Sequence, residues 1–198
     1  MDALLVATTN PGKIREIRLA LEGLPLTLLT LADVPFVQEP EETGRTFADN
    51  ARLKASYYAR TSGQITVAED SGLVIDAIGG RPGVESARYP GATYADKFAG
   101  LYRELAPHPR PWTARFVCSL VLVSGHEPDS LIFTAEATVE GKIAEAPRGT
   151  NGFGYDPIFY YAPYGTTLAD VDDTRKLAAS HRGKAFRELK CWLAQSRI

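Results

Sequence analysis

The first thirty residues constrain the fold more than any other stretch of this chain. Ala3-Leu4-Leu5-Val6-Ala7 is a short apolar run that predicts a buried strand. Thr8-Thr9-Asn10-Pro11-Gly12 is turn chemistry, and a helix follows from about Lys13. Ile14, Ile17 and Leu21 recur along one side of that helix, and Gly23 is placed to stop it. Leu26 to Thr30 predicts a second strand. A strand, a helix and a strand in this order imply a parallel pair joined by a crossover helix.

The remaining segments extend an α/β reading. After a long acidic loop from Asp33 to Gly44, Thr46 is placed to cap a helix, with Asp49 three residues on. Phe47, Ala51, Ala55 and Tyr58 form the packing side of that helix, which ends near Gly63. Ile65 to Ala68 predicts a strand that runs out into Glu69-Asp70-Ser71-Gly72. Gly79 to Pro90 is broken by glycine and proline and reads as a surface excursion. Thr93 caps a helix carrying Phe98, Leu101, Tyr102 and Leu105.

Ala114 to Ser124 and Ser130 to Val139 predict an antiparallel hairpin around Gly125-His126-Glu127-Pro128. A glycine-rich loop at Gly149 to Asp156 leads into a short strand, Pro157 to Tyr161. Ser180 is placed to cap a C-terminal helix with Phe186, Leu189 and Leu193. The expectation is one domain over residues 1–198 with a mixed sheet.

At 198 residues, a chain buries roughly 70% of its unfolded surface, so stability requires neither disulfides nor a structural metal. Cys118 lies in an apolar run and reads as core, and Cys191 has no metal-ligand spacing to it. A net charge of −2 disfavours a nucleic-acid binder, which needs a basic excess to displace counterions. It is compatible with a small anionic substrate held by a few placed cations. No signal peptide and no membrane-length apolar run is apparent, so the expected address is the cytoplasm, with no membrane partner.

Five clusters can carry chemistry. Thr8, Thr9, Asn10, Pro11, Gly12 and Lys13 join a strand end to a helix start, where amide groups and an ammonium suit phosphate, although the P-loop spacing is absent. Glu41, Glu42 and Gly44 precede Asn50 and Lys54, which share a helix face. Glu69 and Asp70 are adjacent carboxylates after an apolar strand, costly unless they meet a cation or solvent, and magnesium takes such oxygen ligands.

In the fourth cluster, Phe153 stands between Gly152 and Gly154, ahead of Tyr155 and Asp156. An aromatic flanked by glycines suits stacking on a planar base. Lys176, His181 and Arg182 form the last cluster. Arg182 falls in a first helical turn, where the helix dipole disfavours a cation, and a ligand-facing role would account for it. The other histidines, His108 and His126, stand at spacings unrelated to His181.

Together these stretches resemble the inosine triphosphate pyrophosphatase family. The resemblance rests on Ala7 to Lys13, Glu41 to Ala55, Glu69 to Leu73, Gly79 to Gly83 with Ser86 to Tyr89, Gly152 to Pro157, and Ser180 to Ala185, in that order over nearly the whole chain. It implies a long twisted mixed sheet flanked by helices, two lobes around a central cleft, and a homodimer. It also implies magnesium-dependent release of pyrophosphate from ITP, dITP or XTP.

By that likeness Thr8 to Lys13 and Lys54 bind the triphosphate, and Asp70 is the general base and a metal ligand. Glu42 or Glu41 is a further metal-side carboxylate. Glu69 is an alternative to Asp70 as proton acceptor and is included among the metal-side carboxylates. Ser71 contacts the substrate, Phe153 stacks on the base, and Gly154, Tyr155 and Asp156 complete that pocket. Lys176, His181 and Arg182 close over the nucleotide. Glu69 and Asp49 replace residue types more common in the family but keep a carboxylate. Competing readings are a related pyrophosphatase acting on dTTP or UTP, and a non-catalytic nucleotide-binding domain.

Overall fold

A computed structural model describes residues 2–125 and 130–196. Its sheet has seven strands in the order β2-β1-β3-β4-β5-β6-β7. These are β1 (Ala3–Val6), β2 (Thr27–Thr30), β3 (Thr66–Ile75), β4 (Thr113–Val123), β5 (Leu131–Ile143), β6 (Phe159–Tyr161) and β7 (Thr166–Thr167). The helices are α1 (Pro11–Ala20), α2 (Phe47–Ser62), α3 (Tyr94–Leu105), α4 (Asp173–Ala179) and α5 (His181–Gln195). The sheet is mixed: β1 runs parallel to both β2 and β3, whereas β5/β6 and β6/β7 are antiparallel. None of the described helices is long and apolar enough to cross a membrane.

The chain forms two compact units. One comprises Met1–Asp70, Cys118–Ala137 and Arg182–Ile198; the other comprises Ser71–Val117 and Thr138–His181. In the first unit the parallel register Leu4↔Leu28 and Leu5↔Leu29 bears out the crossover expected from the N-terminal residues. Helix α1 starts at Pro11, two residues before the expected start, because Asn10 is the cap and Pro11 supplies a preset helical φ. Ala51, Ala55 and Ala59 recur every four residues along α2 and pack with Leu5, Ala68, Val121 and Val123. Such small side chains let a helix lie close to a sheet. Thr46 and Asp49 form a reciprocal capping box at its start, and Gly63 ends it in the left-handed region.

The second unit has its own core, in which Leu73, Ile75, Phe98, Leu101, Leu105, Phe116, Ile158 and Phe159 are buried together. The segment expected to be a surface excursion is partly internal. Ser86 is buried and its hydroxyl accepts the Leu73 N–H, and Tyr89 is buried with its hydroxyl donating to Glu104.

Strand β3 is longer than Ile65–Ala68. It runs through Glu69 and Asp70 to Ile75, so these carboxylates lie within a strand rather than in a turn beyond it. Helix α4 was not expected; Asp172 caps it by accepting the Arg175 N–H. Strands β4 and β5 are neighbours, with the Ser124 N–H donating to the Ser130 carbonyl. The expected turn residues His126, Glu127 and Pro128 lie outside the described residues.

Candidate active site

The first unit assembles a charge cluster from five separate stretches of sequence. Successive side chains of a strand point to opposite faces, and Glu69 and Asp70 have different partners accordingly. On one side, Glu69 Oε1 lies 3.1 Å from Lys13 Nζ and 3.0 Å from the Arg182 guanidinium, while the Cys118 thiol donates to Oε2 at 3.7 Å. Arg182 also donates to Glu16 Oε2 at 2.7 Å. Burial alone would raise the Glu69 carboxyl, but Arg182 and Lys13 hold it well below the usual carboxylate range. The same burial pushes the Cys118 thiol well up, so it remains protonated and able to donate.

On the other side, Asp70 accepts hydrogen bonds from Lys54 Nζ at 3.3 Å and Asn50 Nδ2 at 3.2 Å. Lys54 also donates to Glu42 at 2.6 Å. Asn50 is fully buried and its Oδ1 accepts the Gly44 N–H, which ties the acidic loop to α2. There is no room for a side chain at Gly44, because a Cβ would come within 2.5 Å of Asn50 Oδ1.

Burial raises the Asp70 carboxyl above its ordinary value, and the lysines beside it do not cancel that effect. For Lys54, burial works to lower the ammonium, but Asp70 and Glu42 outweigh it and leave the ammonium raised. Lys54 is therefore a charged residue at neutral pH. Asp70 is a buried carboxylate whose proton affinity has been increased, as a proton acceptor requires.

The loop that ends β1 differs from its expected state. The N–H groups of Gly12 and Lys13 both donate to Asn10 Oδ1, and the N–H of Ile14 donates to the Asn10 carbonyl. The helix amides expected to await phosphate are thus satisfied internally by the cap. Among the described residues, no three acidic, histidine or cysteine side chains converge as a metal-binding group.

In the second unit, the Phe153 N–H donates to Asp156 Oδ2 at 2.7 Å, and Lys176 Nζ forms a buried ion pair with the same oxygen. The Lys176 ammonium also lies 4.5 Å from the Phe153 ring centroid. Gly152, at φ +70°, is required here, since a Cβ would come within 2.3 Å of Asp156 Oδ2. The Tyr155 hydroxyl donates to the Ser86 carbonyl at 2.7 Å, and Gly154 follows Phe153 with a left-handed φ of +66°. Ser71, in β3, is half-buried. His181 is buried, its ring stacked on Phe116 at 4.8 Å.

Several residues from the sequence clusters therefore meet within each unit. Lys13, Glu42, Lys54, Glu69, Asp70 and Arg182 belong to the first; Phe153, Tyr155, Asp156 and Lys176 belong to the second. Thr8 and Thr9 line a cavity of about 490 Å³ in the first unit, together with Ile14, Val37 and Tyr58. Glu41 is exposed. Glu16 and Cys118 were missed as partners of the cluster. Glu16 could have been found, because it follows Lys13 by three residues on the same helix and so shares its face.

The first unit is thus an α/β fold whose sheet carries two adjacent buried carboxylates, each paired with a lysine. The chain belongs to the Ham1 family, whose pattern matches residues 4–192. It is 47% identical over 193 residues to a dITP/XTP pyrophosphatase of Geobacter sulfurreducens, covering 96% of each chain. It is likewise 47% identical to a dITP/XTP pyrophosphatase of Thermus thermophilus, covering 94% of this chain and 89% of that one. A solved structure of a HAM1 protein from Coxiella burnetii superposes with a TM-score of 0.90 at 36% identity, covering 99% of this chain and all of that chain.

Proposed function

We propose that this chain hydrolyses deaminated purine nucleoside triphosphates such as dITP, ITP and XTP to the monophosphate and pyrophosphate. The observation that carries the reading is the buried Asp70, flanked by Lys54 and Glu42, in a chain 47% identical to dITP/XTP pyrophosphatases over nearly its whole length. The aromatic loop favours a purine over the dTTP or UTP alternative.

The donor set fits magnesium. Asp70 and Glu42 are hard oxygen ligands on either side of one ammonium, and one or two carboxylates plus substrate phosphates suffice for this ion. When bound, magnesium supplies charge neutralisation on the phosphate oxygens. Glu69 fits that role less well, because two cations, Lys13 and Arg182, already neutralise it, whereas Asp70 accepts from one cation, Lys54, and the neutral amide of Asn50. Glu69 serves as the counter-ion that fixes Lys13 and Arg182.

In the proposed reaction a water oxygen bonds to the α-phosphorus and the bond from that phosphorus to the bridging oxygen breaks. Asp70 takes the proton of the attacking water. Lys54 and Lys13 stabilise charge on the departing pyrophosphate, with hydroxyls of Thr8 and Thr9 as further donors. Phe153 is assigned the base, with Lys176 and Asp156 holding its loop. Ser71, Gly154, Tyr155, His181 and Arg182, whose guanidinium is held by Glu69 and Glu16, complete the proposed substrate contacts. A homodimer acting in the cytoplasm is part of the same reading.

The test is product analysis with XTP and dITP in the presence of magnesium. Monophosphate with pyrophosphate is the expected result; a diphosphate with orthophosphate would refute the proposal. Removal of the aromatic ring gives a finer check. Base stacking is worth about 1–3 kcal/mol, so Phe153→Ala should raise KM by roughly 5- to 150-fold. A KM unchanged for every purine substrate would take the base away from Phe153.

A further inference from the structure

The second unit holds a cavity of about 680 Å³ whose lining includes none of the residues assigned above to phosphate, metal or base. It lies against β5 and β6, where the antiparallel register sets Lys142 opposite Tyr160. Opposed residues in such a pair share a face, and the Lys142 ammonium lies 4.8 Å from the Tyr160 ring centroid. Among the described residues, that ammonium has no carboxylate within ion-pair distance. Across the cavity lining, the Arg110 guanidinium stacks over Trp112 at 4.5 Å and pairs with Glu145 at 2.6 Å. Arg148 also lines the cavity and pairs with Asp170 at 3.2 Å.

We propose that this cavity is a second anion site that takes a phosphate-bearing small molecule of up to nucleotide size. Three cations line it against the single carboxylate of Glu145, so its charge favours an anion. Two of those cations rest on aromatic rings, which restricts them before any ligand arrives and lowers the cost of ordering them. The ion pairs of Arg110 and Arg148 are solvent-exposed, with Glu145 84% exposed and Arg148 71%. Exposed pairs of this kind are worth only about 0–1 kcal/mol, so a phosphate dianion can displace them. Charge-assisted bonds from a guanidinium fork to phosphate are stronger than that. The volume lies within the usual range for small-molecule sites. Phosphate is the shared chemistry of two candidate occupants, a nucleoside monophosphate and pyrophosphate.

The experiment is calorimetric titration of IMP, and separately of pyrophosphate, in the presence of a chelator so that no turnover occurs. It is run on the Lys13→Ala chain, which weakens the phosphate cluster of the first unit, with and without Lys142→Glu/Arg148→Glu. Both added substitutions are at exposed positions, and an unchanged thermal midpoint verifies folding. At least one probe should bind the Lys13→Ala chain, and the double charge reversal should weaken it by roughly tenfold or more. Binding of IMP alone would identify a nucleotide site, and binding of pyrophosphate a polyanion site. If neither probe binds at millimolar concentration, or if charge reversal leaves the affinity unchanged, the proposal is wrong.

Discussion

Asp70→Asn is expected to lower turnover of XTP by roughly 10²–10⁴-fold, the usual contribution of a positioned general base, while leaving the fold intact. The substitution keeps the shape of the side chain and an oxygen to accept from Asn50, which now donates to Asp70 Oδ2. Lys54 keeps Glu42 as a partner at 2.6 Å. What is lost is the basic oxygen, together with a carboxylate on the proposed magnesium side. Steady-state pyrophosphate release, read beside the thermal midpoint, separates chemistry from folding. Turnover close to that of the parent chain would remove Asp70 from the proton-accepting role and would leave Glu42 as the carboxylate to test next.

The N-terminal crossover was legible because every local preference there agrees. An apolar run, an Asn-Pro cap and a spaced apolar stripe specify strand, turn and helix without reference to anything distant. Strand β3 was legible only to Ala68. Its continuation contains Glu69 and Asp70, and a pattern-based reading stops at adjacent charges because burying them is costly. The cost is offset by Lys13, Arg182 and Lys54, which come from α1, α5 and α2. No window of sequence around residue 70 contains that information. Ser86 and Tyr89 were misplaced for a related reason: glycine and proline mark a change of direction, not a position at the surface.

The site was legible as a set of clusters but less so as a set of contacts. Lys54 and Asp70, which stand in separate clusters of the sequence, lie 3.3 Å apart. The Thr8–Lys13 turn was read as offering amides, whereas the Asn10 side chain takes up two of them. That alternative was visible in principle, since Asn followed by Pro at a helix start is a capping pattern as much as a phosphate-binding one. Arg182 was read outward from its unfavourable place in a first helical turn. The structure resolves the same anomaly inward, through Glu69 and Glu16.

That inward resolution makes Arg182→Leu the substitution with the largest expected effect on stability. The guanidinium is 2% exposed and bridges two carboxylates that are each 1% exposed. Removing one partner of a buried pair costs about 3–5 kcal/mol, because a buried charge is left uncompensated. In a chain of this size that corresponds to a fall of roughly 6–20 °C in the thermal midpoint. Glu69 would retain Lys13 at 3.1 Å, whereas Glu16 would lose its 2.7 Å bond from the guanidinium. The double substitution Glu16→Leu/Arg182→Leu tests the contribution of this pair, since it replaces both of its members with apolar groups. It should melt at a higher temperature than Arg182→Leu alone. If the double variant instead melts lower, the loss arises from packing around α5 or from Glu69, and the bridge to Glu16 contributes little.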